Sequence, residues 1–289
     1  MAGPWIQAEA LRVDVGASPL VEGVSFTTSG RAVAVLGAPR ALFEACAAMR
    51  PVTSGTLRIR DLSPSDAAKR ALAAGAPLDP ELPAKWTVRE YLRWSARLVG
   101  HDASHAARNA EGALELLRIE REASTTLGAA PVHIKRATVI GAAIATGAEL
   151  VFVEDPSPGL PDDLARSLSR FVAQALDERA FVLFAGRLPL TSPFAHRTEE
   201  AFMYQNGTMV GGAPAELATR EQSFRVRASG DLDRLAAALL EKGAKVEAHP
   251  ESSELVVELG DLATRDVFAL AEGNDAVVLE LVPVAAAFA

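Results

Sequence analysis

Three runs, R-A-V-A-V-L (31–36), L-V-F-V (150–153) and F-V-L-F-A (181–185), are apolar at nearly every position instead of every second one. A strand with one wet face alternates; a strand buried on both faces does not, and that burial belongs to parallel strands covered by helices on both sides. Helical stretches lie near 65–73, 87–99, 103–117, 135–146 and 161–177. The last opens on Pro161, Asp162 and Asp163, residues that suit a first helical turn. Residues 1–220 therefore predict a doubly wound α/β domain with a helical insertion. Beyond about residue 221 the rhythm changes to strand 223–229, helix 231–243, strands 244–249 and 253–259, a helix near 262–271 and strand 276–282. That β-α-β-β-α-β order is ferredoxin-like, so a small α+β domain is expected over 221–289.

The corner after the first apolar run carries the chemistry. Ala32 to Leu36 leads into Gly37, a turn, and a helical run expected from Ala45 to Met49. This is the strand–loop–helix frame of a phosphate-binding loop, G-x-x-x-x-G-K-[ST]. With Gly37 as the first glycine, Leu42, Phe43 and Glu44 stand where the second glycine, the lysine and the hydroxyl belong. The lysine neutralises phosphate charge and the hydroxyl holds Mg²⁺; Phe43 does neither. Glu44 would set a carboxylate beside a polyanion, a repulsion of about 4 kcal/mol at ~4 Å and an effective dielectric of ~20. The nearest lysine, Lys69, lies well downstream.

Other residues bound the function. No apolar run approaches the ~18 residues of a membrane span, and the N-terminus shows neither the basic region nor the apolar core of a secretory signal. A cytoplasmic protein is expected. Cys46 is the single cysteine, which leaves no intrachain disulfide and no cysteine metal cluster, and it reads as a small buried hydrophobe. A net charge of −8 argues against nucleic acid or anionic lipid as the main partner. His101 and His105 sit four apart but have no third ligand nearby, so they read as a polar face and no metal is expected. Trp86, Tyr91 and Trp94 share one helix and suit either core packing or a docking face.

Read in order, several segments resemble the ATP-binding subunit of an ABC transporter, over essentially the whole chain. L-V-E-G-V-S-F (20–26) is similar to the segment before the Walker A strand, and T-S-G-T-L-R-I (53–59) to the strands after it. W-T-V-R-E-Y-L-R-W-S-A-R-L-V-G (86–100) is similar to the helix beyond the Q-loop, and G-A-E-L-V-F-V-E-D-P-S-P-G-L (147–160) to the Walker B strand and D-loop. G-T-M-V-G-G-A-P-A-E-L (207–217) is similar to the turn that closes the domain, and the C-terminal segment to the accessory domain of drug and polyketide exporters.

The resemblance implies a P-loop NTPase fold and assigns each chemical position. The adenine-stacking aromatic becomes Val15, and the Q-loop glutamine becomes Leu78. In the signature loop, A-P-V-H-I-K-R (130–136), the serine and two glycines become Pro131, Val132 and His133. Proline removes an N–H, and the branched valine blocks the close approach that glycine permits. Walker B reads Glu154 then Asp155 in place of Asp then Glu, which leaves the base one methylene short; a misplacement of about 1 Å can cost ~10²-fold. The switch histidine becomes Arg187 and the D-loop aspartate Pro161.

The family's subunits pair head to tail, so each site joins one chain's Walker A to the other's signature loop. A chain that has lost both would spoil both sites of a mixed pair. The expectation is a catalytically inactive ABC-type subunit, with no ATP or Mg²⁺ cofactor, acting through a membrane subunit, a paralogous ATPase subunit or a second copy. The alternatives are a weak ATP binder or slow ATPase using Glu154 and Asp155, and a C-terminal domain that serves as a dimerisation or small-ligand module.

Overall fold

The computed structural model describes residues 3–286 apart from 17, 38, 206 and 250–252. The chain opens with the hairpin β1 (Ile6–Val15) and β2 (Ser18–Thr27), then β3 (Ala32–Leu36), α1 (Pro39–Cys46), β4 (Ser54–Ile59), α2 (Pro64–Lys69) and β5 (Ala73–Ala76). The helical insertion follows: α3 (Val88–Leu98), α4 (Ala103–Leu117) and α5 (Val132–Ala145). Next come β6 (Leu150–Glu154), α6 (Asp162–Ala175), β7 (Ala180–Ala185), β8 (Arg187–Pro189), β9 (Glu200–Gln205), β10 (Thr208–Gly212) and α7 (Pro214–Glu221). The C-terminal part is β11 (Ser223–Gly230), α8 (Leu232–Glu241), β12 (Lys245–His249), β13 (Glu254–Glu258), α9 (Thr264–Gly273) and β14 (Ala276–Ala286).

The central sheet runs β10-β9-β3-β7-β6-β5. All of its strands are parallel except the β10 edge. Its three continuous apolar strands divide their side chains between two cores, which is why they do not alternate. One face, with Ala34, Leu36, Val151, Val153 and Leu183, packs on α3 to α6. The other, with Val33, Val35, Phe152, Val182 and Phe184, packs on α1 and the antiparallel sheet β2-β1-β4. α1 is thus sandwiched between two sheets.

Several boundaries differ from the sequence reading. The helix expected over 65–73 stops at Lys69, and Ala73–Ala76 is instead the edge strand of the parallel sheet. A-A-G-A carries no β-branched residue to announce a strand. Its place is set by close packing: a Cβ on Gly75 would stand 2.8 Å from the Cβ of Ala47. The last strand runs past 282 to Ala286.

β11 to β14 form an antiparallel sheet in the order β12-β13-β11-β14, with α8 and α9 on one face around Val226, Leu235, Leu239, Val257 and Val267. This sheet has a fifth strand. β8 pairs with the end of β14, Arg187 opposite Ala286 and Pro189 opposite Val284, and Ala285 is buried in the core formed by the helical insertion. The C-terminal sheet is therefore joined by a backbone ladder to the segment that follows β7.

Candidate functional site

Gly37 turns the chain out of β3 at φ +93°, a conformation that favours glycine. α1 then begins at Pro39, whose fixed φ suits a first helical position. The helical run expected from Ala45 therefore starts at Pro39, ahead of the three Walker A positions. Leu42 and Phe43 lie inside the helix and are fully buried, with Phe43 edge-on to Phe184 at 5.6 Å between ring centres. Beyond its first turn a helix spends each N–H on the carbonyl four residues back, so these amides do not form an open cradle.

The charged groups converge around Glu154, at the end of β6, which is 8% exposed. Arg40, on the first turn of α1, donates from Nη1 to both carboxylate oxygens of Glu154, at 3.0 and 3.1 Å. The backbone N–H of Leu78 donates to Glu154 Oε2 at 2.8 Å. Arg40 Nε also donates to Glu44 at 2.9 Å, and Arg50 Nε donates to the other Glu44 oxygen at 2.7 Å. Burial by itself raises the Glu44 carboxyl, but the bonds from Arg40 and Arg50 outweigh it and hold the group below the usual carboxylate range. Glu44, Leu78 and Glu154 lie together around Arg40, a cation the sequence reading missed. The available signal was local: Arg40 and Glu44 are four apart, a spacing at which helical side chains meet.

Asp155 follows a different path. It accepts the Ser157 N–H at 2.9 Å, and burial pushes its carboxyl above the ordinary value, opposed by Ser157, Arg187 and Arg136. A carboxyl raised in the fold contributes stability below its unfolded value near ~3.9 and loses it as pH rises through the folded value. Asp155→Asn keeps an oxygen for Ser157 and removes the charge. Its melting temperature is expected to exceed that of the parent at pH 7, and the gap to close at low pH, where Asp155 is protonated in the folded and the unfolded chain alike. Equal melting curves at neutral pH would refute the assignment.

Arg187 donates to Glu254 of β13 at 3.0 Å, and that carboxylate is buried. Arg225 holds the other Glu254 oxygen at 3.3 Å, and Arg227 pairs with Glu280 and with Asp162 at the start of α6. Arg187 is thereby tied to the C-terminal sheet.

The signature-loop positions stand apart from this cluster. Pro131 precedes α5 without a side-chain cap, Val132 is exposed and His133 half-buried. At the last position of that loop, Arg136 is buried and ties α5 to two other segments. It grips Asp79 with Nε and Nη2 at 3.1 and 3.0 Å, and donates from Nη1 to the carbonyls of Pro156 and Pro158 at 3.0 and 2.6 Å. Val15 is exposed. His101 Nε2 meets the Thr146 carbonyl and His105 Nδ1 meets Asp102. Trp86 and Tyr91 pack against the helical core, whereas Trp94 is 44% exposed.

No protein-family profile and no curated protein matches the chain in sequence. Solved structures match it in shape. An ATP-binding subunit of an ABC transporter superposes with a TM-score of 0.62 at 19% identity, over 75% of this chain and 92% of that one. The fold is that of an ABC ATP-binding subunit. A nucleotide-free ATP-binding cassette gives 0.60 at 14% identity, over 73% of this chain and 91% of the other. CbiO1 from Clostridium perfringens, part of the ABC transporter complex cbiONQ, gives 0.61 at 13%, over 83% and 97%.

Proposed function

We propose that this chain is an ABC-type subunit without nucleotide chemistry, acting as a scaffold or regulator in an ABC-transporter-like complex. The observation that carries the reading is the Arg40 guanidinium between Glu44 and Glu154. Three features argue that the residues do not fit a Mg²⁺-nucleotide. Glu154, the carboxylate in line for the metal, is already neutralised from within the chain. Glu44 stands where the metal's hydroxyl ligand belongs. The lysine position is a core phenylalanine, so no side chain there meets a phosphate. The internal cation does the electrostatic work that lysine and metal do in an active cassette, without a ligand.

The partners this reading implies are an ABC-type membrane subunit or a paralogous ATPase subunit. Among the described residues no helix is long and apolar enough to cross a membrane, so contact with a bilayer would run through such a partner, on the cytoplasmic side. The exposed run Arg93, Trp94, Arg97 and Leu98 on α3 offers a docking face. It borders a cavity of about 440 Å³ against Ala103, Ala106 and Ala107.

The test is nucleotide binding by the purified chain, followed by calorimetry and thermal melting with ATP and Mg²⁺. A ligand at ~100 times its Kd adds about 2.7 kcal/mol of stability. No heat and no shift at millimolar ATP is the expected result. A saturable shift with ATP·Mg²⁺ would favour the slow-ATPase alternative and sink this one.

A further inference from the structure

We infer that the C-terminal sheet braces the loop between β6 and α6, its arginines fixing where that loop and the first turn of α6 stand. The sheet thereby sets how this exposed segment is presented to a partner. The contacts that make the brace are independent of nucleotide.

Side chains alternate across a strand. β11 turns Val226 and Ala228 into the core with α8 and α9, so Arg225 and Arg227 lie on the other face. There Arg227 stands opposite Glu254 of β13 on one side and Glu280 of β14 on the other. Arg225 reaches both carboxylates, Glu254 at 3.3 Å and Glu280 at 3.1 Å. Arg187, the first residue of β8, takes the second oxygen of Glu254 at 3.0 Å. Its charge also acts on Asp155: burial raises that carboxyl, and Ser157, then Arg187 and Arg136, oppose the rise. At the far end Arg227 donates to Asp162. Asp155 and Asp162 bound the loop between β6 and α6. The charges Asp155, Arg187, Glu254, Arg225, Glu280, Arg227 and Asp162 thus alternate in sign. They leave the loop at one end and return to it at the other, by way of the C-terminal sheet.

Arg136 holds the first half of this loop through the carbonyls of Pro156 and Pro158. In the second half, Gly159, Pro161, Asp162 and Asp163 are exposed, and no side chain caps the start of α6. A carboxylate in a first turn suits the positive end of a helix, and that of Asp162 also turns to an arginine 65 positions away. Among the described residues, Nη1 of Arg187 and Nε of Arg225 and Arg227 are buried without a hydrogen-bond acceptor. An unsatisfied buried donor costs stability, so what this cluster supplies is position more than stability. The backbone completes the brace. β8 pairs with the end of β14, Leu190 N–H donates to the Pro283 carbonyl, and Asp155 N–H donates to the Phe184 carbonyl at the end of β7.

Amide exchange of the full chain without nucleotide tests the brace. Arg227→Gln breaks the link from the sheet, and Asp162→Asn breaks it from the exposed end and leaves the fold intact. Each is expected to speed exchange about fivefold at Ala165 to Ser167, the first hydrogen-bonded amides of α6, while the amides of α4 keep the parent rates. Arg227→Lys, which keeps the charge, is expected to fall between. Arg227→Gln and Asp162→Asn together are expected to give no more than either alone, because both remove one link. An effect of Asp162→Asn that Arg227→Gln does not reproduce would mean that Asp162 serves only its own helix, and would overturn the proposal. Parent rates in both variants, additive effects in the double variant, or an acceleration shared equally by α4 would overturn it as well.

Discussion

Phe43→Lys, which writes the Walker lysine back into the sequence, is expected to unfold the protein and to restore no ATP binding. Phe43 is fully buried between two sheets and packs edge-on against Phe184. Removing a buried phenylalanine ring costs about 3–5 kcal/mol through lost transfer and cavity terms. Lysine adds an ammonium in a site lined by Phe184, Ala47 and the Gly75 backbone. Burying an unpaired charge adds several kcal/mol more, unless the group deprotonates. The sum rivals the ~5–15 kcal/mol stability of a whole domain. The expected outcome is insoluble protein, or a melting temperature lowered by more than ~10 °C. A position 43 that faced an open loop would accept lysine without loss, so the sign of the result discriminates sharply. A soluble Phe43→Lys protein that melts like its parent, or gains affinity for ATP, would show that α1 does not begin at Pro39.

Arg136→Ala is expected to cost about 3 kcal/mol, as a buried donor set serving two loop carbonyls is lost and each unsatisfied group costs ~1–3 kcal/mol. The side chain is 7% exposed, and its fork to Asp79 joins α5 to the loop after β5, while Nη1 joins it to the loop after β6. One guanidinium thus fixes α5, the loop after β5 and the loop after β6 to each other. Arg136→Lys keeps the charge but not the planar fork, so it should fall between parent and alanine variant in urea unfolding. Asp79→Ala should cost less than ~1 kcal/mol, since that carboxylate is 56% exposed. An Arg136→Ala midpoint within error of the parent would mean that the clamp contributes nothing to holding the insertion on the core.

The same interior explains the inertness of Cys46. Burial pushes its thiol up to about 12, so the thiolate, which is the reactive form, is scarce at neutral pH. Labelling of Cys46 then reports unfolding, and it gives a direct readout for both variants above.

Some of this was legible in the residues because it is local. Unbroken apolar runs at 150–153 and 181–185 announce parallel strands, since burial on both faces forbids alternation. The helices 103–117 and 161–177 announce themselves by spacing and by their caps. The C-terminal β-α-β-β-α-β order needs only the sequence of elements. That positions 43 and 44 hold neither a lysine nor a hydroxyl is likewise a statement about residue identity.

What tertiary structure decided is what depends on partners far apart in the chain. β5, A-A-G-A, is a strand only because β6 offers it a parallel ladder and Ala47 leaves room for a glycine. Helix α1 starts at Pro39 because Leu42 and Phe43 gain a core on both sides, a gain no local pattern reveals. Arg40 becomes the site's cation because β6 delivers Glu154 to it across 114 positions of sequence. Arg187 meets Glu254, and β14 meets β8, for the same reason: an ion pair and a backbone ladder form wherever the fold brings complementary groups together, and chain order does not encode that distance. The residues by themselves determined the long helices, the buried parallel strands and their order; only the packed structure determined β5, the start of α1 and the partners of Arg40 and Arg187, because those depend on groups far apart in the chain.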